Sequence, residues 1–312
     1  MMNNETVKNA EMTVEMLREV CDRYLRRGVV EDALSVDAGI TGGYLLPKEF
    51  ADKLAGAVSS ASILRGLCTE IATSRNTDVP IVTGYGKPSW IPDGGQIPMV
   101  RDRFDRVTLR GHTLAAIIRV SSELIKDSAI DLEKYLADAF AERLVEAEEE
   151  AFIIGDGVDK PKGLLHQAKA GCETAAAGSV SIDDVLNLIF SVPEKHRRNG
   201  VLLMNDTTLL QLYKLCRAQG PNLWFGKTND GKDDTFFGMR IARCAAMPDP
   251  VSGNTPILFG DFRKVFISNQ GERGIRRLIE LYALNNHVGY LIGERVDIQL
   301  SVPDAVKGLM VT

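Results

Sequence analysis

Residues 151–165, AFIIGDGVDKPKGLL, set two glycines around an aspartate directly after a glutamate-rich helical run. Whether this stretch holds a ligand or only ends a helix decides what kind of fold the chain builds. A calcium loop needs oxygen ligands at alternate positions closed by a distal glutamate, yet Val158, Lys160 and Lys162 follow Asp156. A dinucleotide loop follows a strand and opens a helix, whereas here the helix comes before the glycines. The stretch reads as a helix stop built on Gly155, Asp156 and Gly157, with Gly155 or Gly157 in a left-handed conformation.

The helix that it ends spans 131–154. Leu132, Leu136, Ala139, Phe140, Leu144, Ala147, Ala151 and Ile154 recur at helical spacing, which gives one rod of ~36 Å. Glu146, Glu148, Glu149 and Glu150 lack the Glu-x-x-His partner of a di-iron bundle and spread around the helix. They are expected on a solvated or intersubunit face.

Upstream, residues 8–27 carry Leu17, Val20, Cys21 and Tyr24 on one helical face and close with Arg26, Arg27 and Gly28, a helical arm. A second short helix opens near Pro47 and repeats Phe50, Leu54 and Val58. From Asp78 onward, Pro80, Pro88, Pro92 and Pro98 crowd together with Gly84, Gly86, Gly94 and Gly95, so no central strand fits there. After them, Arg106 to Arg110 alternate charged and apolar residues before Leu114–Ile118 turns continuously apolar, as a strand would on entering a core. Residues 76–121 therefore read as a long projecting hairpin with Trp90 and Ile91 near its tip. Such an arm orders many residues while burying little apolar area, and it makes more sense lying on a neighbouring subunit.

Downstream, Ser181 and Asp184 have capping-box spacing. A buried strand is expected at 200–205, a helix capped by Asn205 or Asp206 after it, and short strands at 238–244, 255–261 and 264–269. Helices and strands alternate between about 180 and 280, as in an α/β or α+β layer. A long strand follows at 288–302, carrying Glu294 among apolar residues and ended by Pro303.

Composition narrows the classes. The 312 residues carry a net charge of −5, with a pI near 5.5 and a mean hydropathy of −0.06. No global basic field pulls such a chain onto nucleic acid. Five widely spaced cysteines without a CxxC argue for reduced core-filling thiols. The polar N-terminus lacks a signal-peptide core, and no apolar run approaches the ~20 residues of a membrane span, so synthesis in the cytosol is expected. GPNLWFGKT at 220–228 imitates a phosphate loop, but Pro221 breaks it and a helix precedes it. The four histidines are scattered, and no nucleophile has an evident base. No catalytic, cofactor or metal residue is assigned.

Taken in order, ALSVDAGITGGYLLPKEF, GKPSWIPDGGQIP, VSSELIKDS, EEAFIIGDGVDKPKGLL, FFGMRIARCAAMP, ILFGDFRKVFI and VPDAVKGL resemble the major capsid proteins of tailed phages, the Hong Kong 97-type family. The resemblance implies an α+β fold with an N-terminal arm and linker (1–46), the start of a peripheral domain (47–75) and an extended loop (76–112). It further implies the peripheral domain with its spine helix (113–178, helix 131–154), an axial domain (179–284) and a peripheral return strand (285–312). Lys87, Trp90, Ile91, Pro92 and Ile97 of the loop would touch adjacent subunits.

Some members weld subunits through a loop lysine, an asparagine and a glutamate. Asn286 and Glu294 fall near the last two places, but Gly94, Gly95 and Gln96 stand where the lysine belongs and Lys87 is displaced. Non-covalent burial is then expected to hold the shell. No long charged scaffold region precedes the arm, so a separate scaffold is used, the region has been removed, or residues 8–27 suffice. The implied function is an icosahedral phage or prophage head shell. Hexamers and pentamers of the chain would enclose double-stranded DNA without sequence-specific binding. Portal, scaffolding or maturation protease proteins would be partners, no cofactor or membrane would be involved, and assembly in the host cytoplasm would lead to the virion. The alternatives are an encapsulin-type compartment and, from another class, a nucleotide-dependent α/β enzyme.

Overall fold

The computed structural model describes residues 26, 48–84, 86, 88–91, 93, 96, 99–126, 131–176, 178–219, 225–228, 234–271 and 274–312. The expected helix at 8–27 lies outside them except for Arg26, which is helical. In chain order come helices α1 (Lys48–Ala61) and α2 (Ile63–Leu67) and strands β1 (Thr69–Thr73), β2 (Thr77–Gly84), β3 (Arg103–Leu109) and β4 (His112–Ser121). Helices α3 (Ser122–Lys126), α4 (Leu132–Ile154) and α5 (Leu164–Gln167) follow, with strand β5 (Lys169–Glu173) and helices α6 (Ile182–Ser191) and α7 (Glu194–Arg197). Then come β6 (Val201–Met204), α8 (Asp206–Gln219), β7 (Phe225–Lys227), β8 (Asp234–Phe236), β9 (Met239–Arg243) and β10 (Ile257–Gly260). The chain closes with β11 (Val265–Gln270), β12 (Gly274–Leu278), β13 (His287–Leu300) and β14 (Val306–Met310).

Two units result. The first takes residues up to Ser62, Thr113–Ala147 and Gly271–Arg295. Asp131 starts α4 there, its Oδ1 accepting from the Lys134 N–H at 3.0 Å, a side-chain cap for an otherwise orphaned donor. Leu132, Leu136, Phe140 and Leu144 then stack at four-residue intervals into a core with Leu54, Val58, Ile118, Tyr290 and Ile292. Each such burial stabilises by about 1.5–3 kcal/mol. Strand β12 pairs antiparallel with β13 from Gly274↔Gly293 to Leu278↔Gly289, and β4 also pairs with β13. The continuously apolar stretch of β4 is not buried on both faces. Ile118 and Val120 point inward while Ala115, Ile117 and Arg119 are exposed, the alternation of an antiparallel strand with one wet side.

The second unit takes Ile63–His112, Glu148–Gln270 and Val296–Thr312. A seven-stranded sheet runs β5-β14-β10-β6-β9-β8-β7. One face packs Val185, Leu188, Leu202, Leu212, Phe236 and Phe259 together. A separate cluster joins Leu64, Phe152, Ile153, Leu258, Phe262 and Ile298. The Ser181/Asp184 capping box is present, and Asn205 caps α8 by accepting from the Thr208 N–H at 2.8 Å. In this unit β1 runs parallel to β11, and β11 pairs with β13 from Val265↔Leu300 to Asn269↔Val296.

These pairings cut across the sequence spans 179–284 and 285–312. Strand β14 joins the seven-stranded sheet, while β11 pairs with β13 instead. Local periodicity identifies a strand, but only long-range pairing chooses its sheet.

The glycine turn after α4 has a packing reason. The Gly155 N–H donates to the Ala151 carbonyl at 2.9 Å, and the Gly155 carbonyl accepts from Gly163 at 2.9 Å. A Cβ on Gly155 would sit 2.1 Å from the Pro161 carbonyl oxygen. Gly157 has φ +80°, the Asp156 side chain accepts from the Val158 N–H at 3.0 Å, and Asp156 bridges Lys162 in antiparallel register. The stop is thus a folded-back turn that holds the chain against its own helix end.

Candidate functional site

Strands β2 and β3 form a two-stranded ribbon, paired from Thr77↔Leu109 through Val79↔Val107 and Pro80↔Arg106 to Gly84↔Arg103, with a register shift between Val82 and Gly84. Pro80 is tolerated because each strand is an edge. Asp78 accepts from the Thr108 hydroxyl at 2.7 Å, and Asp102 accepts from the Gly86 N–H at 2.8 Å. Leu109 is fully buried and roots the ribbon. The hairpin expected to run on to 121 is therefore shorter. It ends at Leu109, and Arg110 and Gly111 turn the chain into β4.

The root is fixed by a buried carboxylate that sequence reasoning missed. Asp297 of β13 accepts from the Arg110 N–H at 2.7 Å and from the Ile298 N–H at 2.9 Å. Burial holds the Asp297 carboxyl above its usual range, opposed by these two N–H donors, Gln299 and the nearby His112. Beside the root, Arg106, Arg110, His112, Lys162, Asp156 and Gly157 line a cleft of about 650 Å³. The glycine turn thus borders the ribbon's base. A charged residue inside the apolar alternation of VGYLIGERVDIQLSV was the available signal for Asp297.

Along the ribbon and its tip several large apolar residues stay uncovered, while Val79, Ile81, Val82 and Val107 are half-buried. Trp90 is 103% exposed, Met99 84% and Phe104 70%, with Ile91 and Val100 also exposed. Lys87, Pro92 and Ile97 lie outside the described residues. Asn286 has φ 53° and ends a 3-10 turn at Glu280–Asn285, where its carbonyl accepts from the Ser122 N–H at 3.0 Å. Glu294 is buried. Eight residues of strand separate the two by about 26 Å, so one copy does not bring them together.

The glutamates of α4 correct the sequence reading. Glu146 and Glu150 are exposed, but Glu148 and Glu149 are buried. The Arg65 guanidinium donates to Glu148 through Nε at 2.9 Å and Nη2 at 2.5 Å, with side chains 1% and 0% exposed. Arg65 also reaches Glu70 at 3.1 Å and Asn269 at 3.0 Å. Glu149 accepts from the Ile63 N–H at 2.7 Å and lies 3.8 Å from the Cys244 sulfur. The partner of Glu148 is 83 residues away in sequence, which is why periodicity alone placed it in solvent.

Catalytic arrangements find little support among the described residues. Burial and then the Glu149 charge push the Cys244 thiol up to about 12, the opposite of an activated nucleophile. No group of three or more His, Cys, Asp or Glu is placed to hold a metal, and no helix is long and apolar enough to cross a membrane. Of the phosphate-loop imitation, Gly220–Trp224 lies outside the described residues, and Phe225–Lys227 is a strand paired with β8.

The chain matches the model of the phage capsid family over residues 42–311. It is 23% identical over 257 residues to the major capsid protein of Klebsiella oxytoca phage phiKO2, a match covering 78% of this chain and 59% of that protein. Among solved structures, the capsid of an empty GTA particle is 27% identical, with a TM-score of 0.64, over 80% of this chain and 95% of that one. An encapsulin in a holo-SrpI complex from Synechococcus elongatus PCC 7942 shares the fold at 14% identity and a TM-score of 0.57, over 79% of this chain and 86% of that one.

Proposed function

Because the chain belongs to the phage capsid family, we propose that many copies of it close into the icosahedral head shell of a tailed phage or prophage around packaged double-stranded DNA. Its α+β fold is the Hong Kong 97-type capsid fold. The observation that supports the shell reading best is the uncovered ribbon, with Trp90 wholly exposed and Phe104 and Met99 nearly so. Large apolar side chains gathered on a projecting element mark an interaction surface. The protein acts through interfaces, not catalysis.

In this reading residues 76–112 are the extended loop. Lys87, Trp90, Ile91, Pro92 and Ile97 touch the adjacent subunit. The spans 47–75, 113–178 and 285–312 would supply the peripheral domain and 179–284 the axial domain of hexamers and pentamers, with β14 of the last span crossing back to pair with β10. The arm at 1–46 adds intersubunit contact. Copies assemble in the host cytoplasm with portal and scaffolding or protease proteins and end in the virion. A mildly acidic subunit suits a lining that must not grip DNA.

Replacing residues 84–98 by a short Gly-Ser turn should leave a folded subunit, by circular dichroism, that forms no closed particles in negative-stain electron microscopy. Normal particles from that variant would refute the reading. The encapsulin likeness gives a second reading with the same shell and different contents. Extracting particles from cells separates them: packaged DNA supports the head shell, and a protein cargo without DNA supports the compartment.

A further inference from the structure

We propose that the cleft at the base of the β2–β3 ribbon binds a small phosphate-bearing anion, held by Arg106, Arg110 and Lys162. This binding goes beyond the shell reading and does not rest on it. The cleft of about 650 Å³ lies within one unit of the chain, and its size is that of a small-molecule site. Three elements line it. Strand β3 and the turn after it supply Arg106, Arg110 and His112, the glycine turn supplies Asp156 and Lys162, and β13 supplies Asp297.

The sequence directs the cations there. In RVTLRGH the polar residues Arg106, Thr108, Arg110 and His112 stand at alternate positions, and alternate side chains share one side of an extended backbone. Leu109 between them is fully buried, which turns the polar row the other way. The backbone under Arg110 is fixed from two directions: its N–H donates to Asp297 at 2.7 Å, and the next N–H, of Gly111, donates to the Asn76 side chain at 3.2 Å. On the glycine turn, a Cβ at Gly157 would come 3.2 Å from the Cβ of Lys162. The missing side chain at 157 therefore makes room for the lysine stem.

Charge and geometry select the ligand. Arg110 and Lys162 are exposed, and among the described residues neither side chain forms an ion pair. Arg106 meets the exposed Asp78 at 3.5 Å, a surface pair that binds it weakly. The acids of the lining are engaged by main-chain donors: Asp297 accepts from the Arg110 and Ile298 N–H groups, and Asp156 accepts from the Val158 N–H. Two guanidinium forks and an ammonium, brought by separate elements, suit a tetrahedral oxyanion better than a planar carboxylate, because phosphate offers oxygens in several directions. The net charge of −5 on the whole chain repels a long polyanion from a distance. A small phosphate-bearing molecule is therefore favoured over a DNA duplex.

Titration calorimetry of inorganic phosphate into unassembled full-length subunits, at about 0.1 M ionic strength, should show saturable binding at one site per chain. Acetate at the same ionic strength should compete roughly tenfold less well. Arg106→Gln with Arg110→Gln should weaken phosphate by roughly tenfold or more, the loss expected of charged hydrogen bonds, and Lys162→Gln by roughly threefold. Asp156→Asn keeps an acceptor for the Val158 N–H but takes a negative charge from the lining, and should tighten phosphate by roughly twofold. Lys134→Gln, outside the lining, should leave the affinity unchanged. Thermal melts check that each variant folds; if the arginine pair does not, Lys162→Gln and Asp156→Asn, both at exposed positions, carry the test through their opposite signs. No saturable binding, acetate as good as phosphate, or an affinity indifferent to these substitutions overturns the site. A mixed-sequence DNA duplex that binds more tightly than phosphate through the same arginines overturns the small-ligand assignment. Because unassembled subunits suffice, each of these failures leaves the shell reading standing, and a chain that forms no particles leaves the cleft standing.

Discussion

Arg65→Met should destabilise the isolated subunit by about 3–5 kcal/mol, the usual cost of leaving a buried ion without its partner. The structure sets this magnitude: Glu148 has a 0% exposed side chain, and both its oxygens accept from Arg65. Glu148→Gln should cost less, about 1.5–3 kcal/mol for the lost charged hydrogen bonds, because Arg65 keeps Glu70 at 3.1 Å. Replacing both, Arg65→Met with Glu148→Met, removes two desolvated ions together and should return within about 1 kcal/mol of wild type or exceed it. Urea unfolding of unassembled subunits, followed by circular dichroism, reads all three. At roughly 2–4 °C per kcal/mol, Arg65→Met lowers the melting temperature by about 6–20 °C. A cost under 1 kcal/mol for that variant, or a double substitution no better than the single, would refute the reasoning.

Two further tests read single sites by the same unfolding assay. Gly155→Ala drives a methyl to 2.1 Å from the Pro161 carbonyl oxygen and 2.4 Å from that of Ala151, and should cost about 1–3 kcal/mol. Gly56→Ala, at an exposed position within α1 with nothing inside 4 Å of the new carbon, should gain about 1 kcal/mol; equal signs for the two would contradict the packing account. For Asp297 the folded carboxyl is raised above its ordinary value of 3.8, so folding favours the protonated form. Its stabilising contribution is therefore full below pH 3.8 and lost as pH rises through the folded value. Urea midpoints at pH 4, 5.5 and 7 should show wild type gaining on Asp297→Asn as pH falls, and a gap that widens with rising pH would reverse the sign assigned here.

What could be read from the sequence was set by how local its cause was. Helix α4 follows from a repeat of leucines and Phe140 on one face, the α6 start from Ser181 and Asp184, and β6, β9, β10 and β13 from short apolar runs between turn residues. Each depends on neighbours within a few positions. The destination of β14, the break between β3 and β4, and the burial of Glu148 and Glu149 depend on partners far along the chain, which no periodicity encodes. At the candidate site, Trp90 was legible because a large ring between Pro88 and Pro92 has no helical or strand periodicity that would place it in a local core. Phe104, Met99 and Asp297 were not, since Phe104 sits in an unremarkable charged strand, Met99 in the irregular stretch before it, and Asp297 is defined by the Arg110 N–H it receives.

Strand β14 lies between β5, which it meets in parallel, and β10, which it meets antiparallel. Of all the strands in that sheet it leaves the ribosome last. Until it arrives, β5 has no neighbour to hold and β10 keeps an open side. A translation product stopped short of residue 306 therefore lacks the strand that joins β5 to the rest of that sheet.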